Sequence, residues 1–375
     1  KVFIFKVWNI LPIFNNNVIK HIKNKNYEDK SYHILNFENN YSLKEAINNI
    51  NPNETAIITT MQPSIDNKWV FECLEKCRIK WGQYLTNLYP EGKISLFNKL
   101  RIYRMNSSLI KTKIYSLVLK LISLGKSNLY YGKKYSPFFF IFSGNIGKRK
   151  SKFLISNHCK KISTHTFAYN EIIENNREGE KKDPVTKMLD TKYIVYLDED
   201  VPNHKDPFYH GYNKTLCDKE VFFREIKNFF EFIEEKTKCK VVVAAYPKSN
   251  YSIENNPYGR EIFFDRTLEL IKNAQLVLQH NTTAVNYSII LEKPILFLTS
   301  KNYLLPYRIS ILHLANELKM KAIDISSKVG WKNETMVDNK IYEEYFSNYI
   351  SSNFAEKNKF SYEIIYENLL ALFKN

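Results

Sequence analysis

Apolar positions along this chain follow two rhythms. Short unbroken runs recur at KVFIFKV (1–7), SYHILNF (31–37), TAIITTM (55–61), FFFIFSG (138–144), KFLISN (152–157), TKYIVYL (191–197), KVVVAA (240–245), LVLQ (276–279), PILFLTS (294–300) and KAIDI (321–325). Such runs mark strands covered on both faces, as in a parallel sheet. Between them lie stretches with the repeat of an amphipathic helix. The clearest is EVFFREIKNFFEFIEEK (220–236), which sets Phe222, Ile226, Phe229, Phe230 and Ile233 on one face. Further helices are predicted near 17–24, 43–50, 67–77 and 307–319, over RTLELIKNA (266–274) with Asp265 as its cap, and from Thr282 to Glu292.

Strands and helices alternate through both halves, so the expected fold class is α/β, with two Rossmann-like doubly wound domains. The charged, strand-poor stretch EIIENNREGEKKDPVTKML (171–189) reads as the linker between them. The expected division is a first domain over 1–180, a second over 190–350, and a last helix within 351–375 returning to the first. Two such domains face each other across a cleft, and doubly wound sheets bind ligands at the carboxyl ends of their strands. The loops after Leu197, Ala245 and Gln279 are therefore the ones to read.

Those loops hold the candidate chemistry. LDEDVPNHKDP (197–207) gathers Asp198, Glu199, Asp200, His204 and Asp206. Clustered carboxylates beside an imidazole suit a general base, a divalent cation or sugar hydroxyls, although a solvated acidic loop reads the same way. YPKSNYSIENNPYGREI (246–262) offers Lys248 and Arg260 as cations for a phosphate, with Ser249 and Asn250 as neutral donors. In QHNTTAV (279–285) a strand passes into a helix, and His280, Asn281, Thr282 and Thr283 fall at the first turn. Unpaired amides there favour an anion; an ordinary N-cap is the plainer alternative.

Charge changes the picture in one segment. The chain carries a formal +16, yet residues 92–170 contain no Asp or Glu and 16 Lys or Arg. Removing these 16 from the 55 basic residues leaves 39 against 39 acidic ones, so the whole excess lies there. Within it, LIKTKIYSLVLKLISLGK (109–126) has the basic amphipathic pattern of a helix lying on an anionic membrane, or of a core helix with solvated lysines. The five scattered cysteines form no zinc-spaced set, and no metal is expected. No run is long enough to span a bilayer and no leader precedes the first strand, so the expected location is the cytoplasm, with a peripheral position on the inner face of the membrane left open by the basic segment. A basic, aromatic-rich chain is also what a nucleic-acid-binding protein looks like. Here the aromatics are dispersed and no recognised motif occurs, so no nucleic acid is expected as partner. No Gly-x-Gly-x-x-Gly follows either domain's first strand, which argues against a dinucleotide-dependent dehydrogenase.

The order strand, His280-x-Thr282-Thr283-Ala284, helix, Lys293-Pro294, strand follows a strand ending in Tyr246-Pro247-Lys248-Ser249 and the Leu197-Asp-Glu-x-x-Pro-x-His-x-Asp loop. Over residues 193–300 this resembles the bacterial surface-polysaccharide (capsule and O-antigen) glycosyltransferases of the GT-B fold, and is similar in layout to their sialyltransferase-like and Kdo-transferase-like branches. The resemblance implies a metal-independent, inverting transfer of a CMP-activated acidic sugar, such as a nonulosonic acid or Kdo, to an oligosaccharide or lipid-linked glycan in capsule or lipopolysaccharide synthesis. It implies no cofactor beyond the nucleotide-sugar donor. By the same resemblance Tyr246 and Pro247 stand where the family has His-Pro, and Lys248, Ser249, Arg260, His280, Asn281, Thr282 and Thr283 surround the phosphate. The base is expected among Glu199, Asp200, Asp198 and His204. Two departures oppose each other. Tyr246 in place of His removes a cationic donor, whereas Ala284-Val285-Asn286 lacks the ribose-binding carboxylate of many UDP- and GDP-sugar enzymes. Transfer from a UDP- or GDP-sugar, or of a polyol phosphate, is the alternative.

Overall fold

The structure is a computed structural model that describes residues 3–6, 33–36, 39–63, 67–85, 90, 134–154, 158–178, 192–204, 207, 215–328 and 337–374. The first domain opens with β1 (Phe3–Lys6) paired in parallel with β2 (His33–Asn36), followed by α1 (Asn40–Asn48). The Asn39 side chain starts α1 by accepting from the Ser42 amide at 2.9 Å. Next come β3 (Ala56–Thr59), α2 (Lys68–Lys76), β4 (Lys80–Leu85), β5 (Phe139–Ser143), α3 (Gly144–Leu154), β6 (Lys160–Thr164) and α4 (Phe167–Glu178). The four later strands form a parallel sheet in the order β3-β4-β5-β6. Strand β5 is buried at every position, as its unbroken apolar run requires.

The second domain contains β7 (Tyr193–Leu197), α5 (Lys219–Thr237), β8 (Lys240–Ala244), β9 (Ile262–Phe263), α6 (Thr267–Asn273), β10 (Leu276–Gln279), α7 (Val285–Ile290), β11 (Ile295–Thr299), α8 (Leu305–Glu317) and β12 (Ala322–Asp324). Its strands are all parallel, in the order β12-β11-β10-β7-β8-β9. Counted from β7, this is the 3-2-1-4-5-6 order of a doubly wound sheet, with the reversal between β7 and β10. Helix α5 covers one face. All five residues assigned to its apolar side are buried, and Asp218 caps it by accepting from the Val221 amide at 2.9 Å.

The chain then runs through α9 (Asn339–Tyr345) and a π-helical turn (Phe346–Ile350) to α10 (Ser361–Lys374). This segment crosses to the first domain. The Thr166 amide donates to Ile350 O at 3.0 Å, and Ile364 of α10 packs with Phe139, Ile141 and Ile162 of the first sheet. Gly144, at φ +63°, sits where β5 turns into α3; a Cβ there would lie 2.1 Å from Asn348 O of the crossing segment. No other residue type tolerates both the backbone angle and that approach. Two parallel-sheet domains facing each other and tied by a crossing C-terminal segment constitute the GT-B layout.

Several sequence expectations are corrected. The start of KFLISN is not a strand: residues 152–154 end α3, and the strand that follows β5 in the sheet is β6. A short apolar run fits either period, and the turn at Gly144 commits it to the helix. Strand β4, KWGQYL, carries too little apolar pattern to be foreseen, yet it lies between β3 and β5. The start of the supposed linker is the last two turns of α4. The helices expected over 17–24 and 109–126 lie outside the described residues, as does Asp206.

Candidate functional site

A cleft of ≈ 470 Å³ opens where the strand order reverses, and both domains line it. From the second domain come the ends of β7 (Leu197, Asp198) and β8 (Ala244, Ala245, Tyr246, Pro247), then Asp265 and Thr267, then Thr282, Thr283, Ala284, Asn286 and Tyr287. The facing wall is the amino end of α4, with Thr166, Phe167, Ala168 and Glu171.

Asp198 and Glu199 are consecutive at the end of β7, and each fastens one neighbouring loop. Asp198 Oδ1 accepts from the Asp200 amide at 2.7 Å and the Tyr258 hydroxyl at 2.5 Å. Its Oδ2 accepts from the Tyr246 amide at 3.1 Å and from the Tyr251 hydroxyl. Three of these four donors, from Tyr246, Tyr251 and Tyr258, lock the loop after β8 in place. Glu199 turns to the other side: Oε1 accepts from the Asn281 amide at 2.6 Å and Oε2 from the Tyr307 hydroxyl at 3.2 Å. Burial raises the Glu199 pKa to about 7; these hydrogen bonds oppose the shift and the Asp198 charge adds to it. Asp200 adopts a left-handed backbone at φ +47° and accepts from Asn203 Nδ2 at 2.7 Å; burial raises its pKa too. His204 rests its ring 5.6 Å from that of Tyr246. The acidic cluster thus builds the cleft floor. Of its three described carboxylates only Asp198 reaches the cleft, and its oxygens are already engaged.

The expected phosphate ligands separate into three groups. His280 is turned into the core: fully buried, it has Nδ1 3.3 Å from the Tyr196 hydroxyl and Nε2 2.8 Å from that of Tyr303. Burial lowers its pKa to about 3, so it is a neutral strut and cannot face a phosphate. Arg260 precedes β9 and therefore sits at the amino edge of the sheet, opposite the cleft. There its guanidinium grips Glu234 at 2.9 and 2.7 Å, while Glu234 also accepts from the Val241 amide. Lys248 and Ser249 follow the lining pair Tyr246 and Pro247 in a tight turn, Lys248 exposed and the Ser249 hydroxyl buried without a partner among the described residues.

Thr282 and Thr283 do reach the cleft, but not as a helix start. Helix α7 begins only at Val285 and has six residues. Residues 282–284 form the turn before it, with the Thr282 hydroxyl accepting from the Ala284 amide at 3.2 Å. The Asn281 amide is taken by Glu199. The next two amides, of Thr282 and Thr283, have no acceptor among the described residues, and both residues line the cleft. Consecutive unpaired amides in a turn form an anion-binding concavity.

Three lining residues were not foreseen. Asp265 is no helix cap: it holds φ +55°, α6 has Arg266 at its N-cap without a side-chain bond, and the Asp265 carboxylate is exposed on the cleft. Glu171, read as linker, lies on α4 and accepts from the Tyr287 hydroxyl across the cleft. It is the first acid after the acid-free segment, a signal the charge pattern already contained. Phe167, one turn before Glu171, is 78% exposed. None of the described lining residues is Lys or Arg. Among the described residues no group of three or more His, Cys, Asp or Glu is placed to hold a metal, and no helix is long and apolar enough to cross a membrane.

No protein-family model matches the chain, and no curated protein does. Solved structures resemble it in the course of the backbone. A putative UDP-N-acetylglucosamine 2-epimerase from Listeria monocytogenes is 10% identical, with TM-score 0.48 over 96% of this chain and 87% of its own. The UDP-GlcNAc 2-epimerase of Neisseria meningitidis, bound to UDP-GlcNAc, is 10% identical, with TM-score 0.44 over 99% of each chain. A glycosyltransferase from Rickettsia africae is 9% identical, with TM-score 0.40 over 99% of this chain and 89% of its own.

Proposed function

We propose that this chain is a glycosyltransferase that binds a nucleotide-activated sugar in the interdomain cleft and passes the sugar to a glycan acceptor. The observation that carries the reading is the pair of amides at Thr282 and Thr283 left without an acceptor among the described residues, set at the point where the strand order reverses and roofed by a second domain. The leaving phosphate would sit on these amides and the Thr hydroxyls, which stabilise the charge that develops as the sugar departs. Asp265, on the same side, suits the hydroxyls of the nucleoside or sugar. Among the described residues no Lys or Arg lines the cleft, and two amides with no cation among these residues match a donor with a single phosphate charge better than a diphosphate. That supports a CMP-linked donor over a UDP- or GDP-linked one, and with it the acidic sugars such donors carry.

The test is thermal unfolding with CMP, CDP, UDP, GDP and ADP, on the wild type and on Thr283→Asp. Thr283 is exposed, so the new carboxylate leaves the fold intact while repelling any anion at the turn. A nucleotide at 100 times its dissociation constant stabilises by about 2.7 kcal/mol. The expected result is a shift with CMP that Thr283→Asp abolishes. A shift with UDP or GDP instead overturns the CMP assignment, and no shift with any nucleotide overturns the function.

A further inference from the structure

The donor reading leaves open what holds the acceptor and what takes its proton. An inverting transfer needs a carboxylate or imidazole near the attacking hydroxyl. Of the four residues expected for this task, Asp198 accepts four hydrogen bonds, Glu199 is buried behind the turn, Asp200 is tied to Asn203, and His204 does not line the cleft. Among the described residues two carboxylates face the cleft with capacity to spare, Asp265 beside the phosphate turn and Glu171 opposite it. Only Glu171 belongs to the wall across from the anion site, which is where an attacking hydroxyl must stand to displace a phosphate from the far face of the sugar.

Phe167 adds the second observation. A phenyl ring left 78% exposed gains nothing from the fold. It lies four residues before Glu171 on α4, hence on the same helix face, and both line the cleft. An aromatic face beside a carboxylate is the pairing that recognises a saccharide: the ring covers the apolar C–H face and the carboxylate takes hydroxyls. Tyr287 completes the arrangement from the opposite domain. Burial and the Glu171 carboxylate hold its phenol protonated, so it stays a donor and fixes one Glu171 oxygen, leaving the other without a partner among the described residues.

We infer that the Phe167–Glu171 face of α4 is the acceptor subsite, with Phe167 stacking on the acceptor saccharide and Glu171 as the base for its hydroxyl. This rests on the donor reading above. The acceptor O–H proton passes to Glu171 as the oxygen lone pair bonds the donor's anomeric carbon. The bond from that carbon to the phosphate oxygen breaks, its electron pair leaving with the nucleotide phosphate at Thr282–Thr283. Glu171 then releases its proton to solvent.

The experiment measures nucleotide release from CMP-N-acetylneuraminic acid and UDP-N-acetylglucosamine, first with water as the only acceptor and then with lactose and N-acetyllactosamine. Glu171→Gln, Phe167→Ala and Phe167→Trp are compared with the wild type. Glu171→Gln should keep the nucleotide-induced thermal shift, lose about 10²–10⁴ of the release rate with either kind of acceptor, and flatten the acidic limb of the pH profile. Phe167→Ala should raise the acceptor KM about tenfold with kcat little changed, and Phe167→Trp should restore it. Release by Glu171→Gln at the wild-type rate overturns the base, and an acceptor KM unmoved in Phe167→Ala overturns the stack. Loss of the nucleotide shift in the wild type would instead count against the donor reading.

Discussion

Replacing Glu199 with Gln separates a building role from a catalytic one. Glu199 is 8% exposed, and its carboxyl is pushed from 4.5 to about 7 by burial. The native state therefore holds a proton that the unfolded chain has already released between these values, so stability from this group is complete below pH 4.5 and is lost as pH rises through 7. At about 1.4 kcal/mol for each tenfold, the loss reaches about 3 kcal/mol above pH 7. Gln has the same shape and no charge. Its carbonyl can accept from the Asn281 amide, and its NH₂ can donate to the Tyr307 oxygen. Thermal unfolding from pH 5 to pH 8 should show the two proteins nearly equal at the acid end and the variant higher by on the order of 5–10 °C at pH 8. Glu199→Ala, which strands the Asn281 amide and the Tyr307 hydroxyl, should lose about 2–5 kcal/mol at every pH. A variant-minus-wild-type difference that stays flat across the range, or is negative at pH 8, refutes the reasoning. If Glu199→Gln also abolishes nucleotide release while unfolding normally, Glu199 belongs to the chemistry after all.

Three further outcomes follow from the same contacts. His280→Gln should remove part of the acid lability of the second domain. The native imidazole stays neutral to about pH 3, so its contribution is lost as pH falls below the ordinary value of 6.5, and urea unfolding at pH 7 and pH 5 measures the difference. Arg260→Ala should cost on the order of 1 kcal/mol, the worth of a partly exposed pair with Glu234, and leave the nucleotide-induced shift untouched; a lost shift would return Arg260 to the phosphate site. Gly144→Ala should cost about 2–4 kcal/mol in urea unfolding, because both its φ and the nearby Asn348 carbonyl reject a Cβ.

The second domain was legible because a strand buried on both faces must be largely apolar, and YIVYL, KVVVA, LVLQ and ILFLT are apolar but for an end residue in three of them. The same logic failed for β4. Lys80, Gly82 and Gln83 break its run, and Gly82 is there because any Cβ would strike the ring of Phe139, a residue 57 positions later. The place of the site was also legible: three loops at three strand ends converge on one cleft whatever their side chains do.

What the amino-acid order determined by itself was the alternation of strands and helices, hence the parallel sheets and the edge at which the cleft opens. Which polar residues face that cleft was decided only by tertiary structure. Hydrogen-bond partners from distant segments claimed His280, Arg260, Asp198 and Glu199 for the scaffold, while Asp265, Phe167 and Glu171 were left facing the cleft. Periodicity is a property of neighbours in the chain, and a buried polar group answers to whichever donor or acceptor the fold brings within 3 Å.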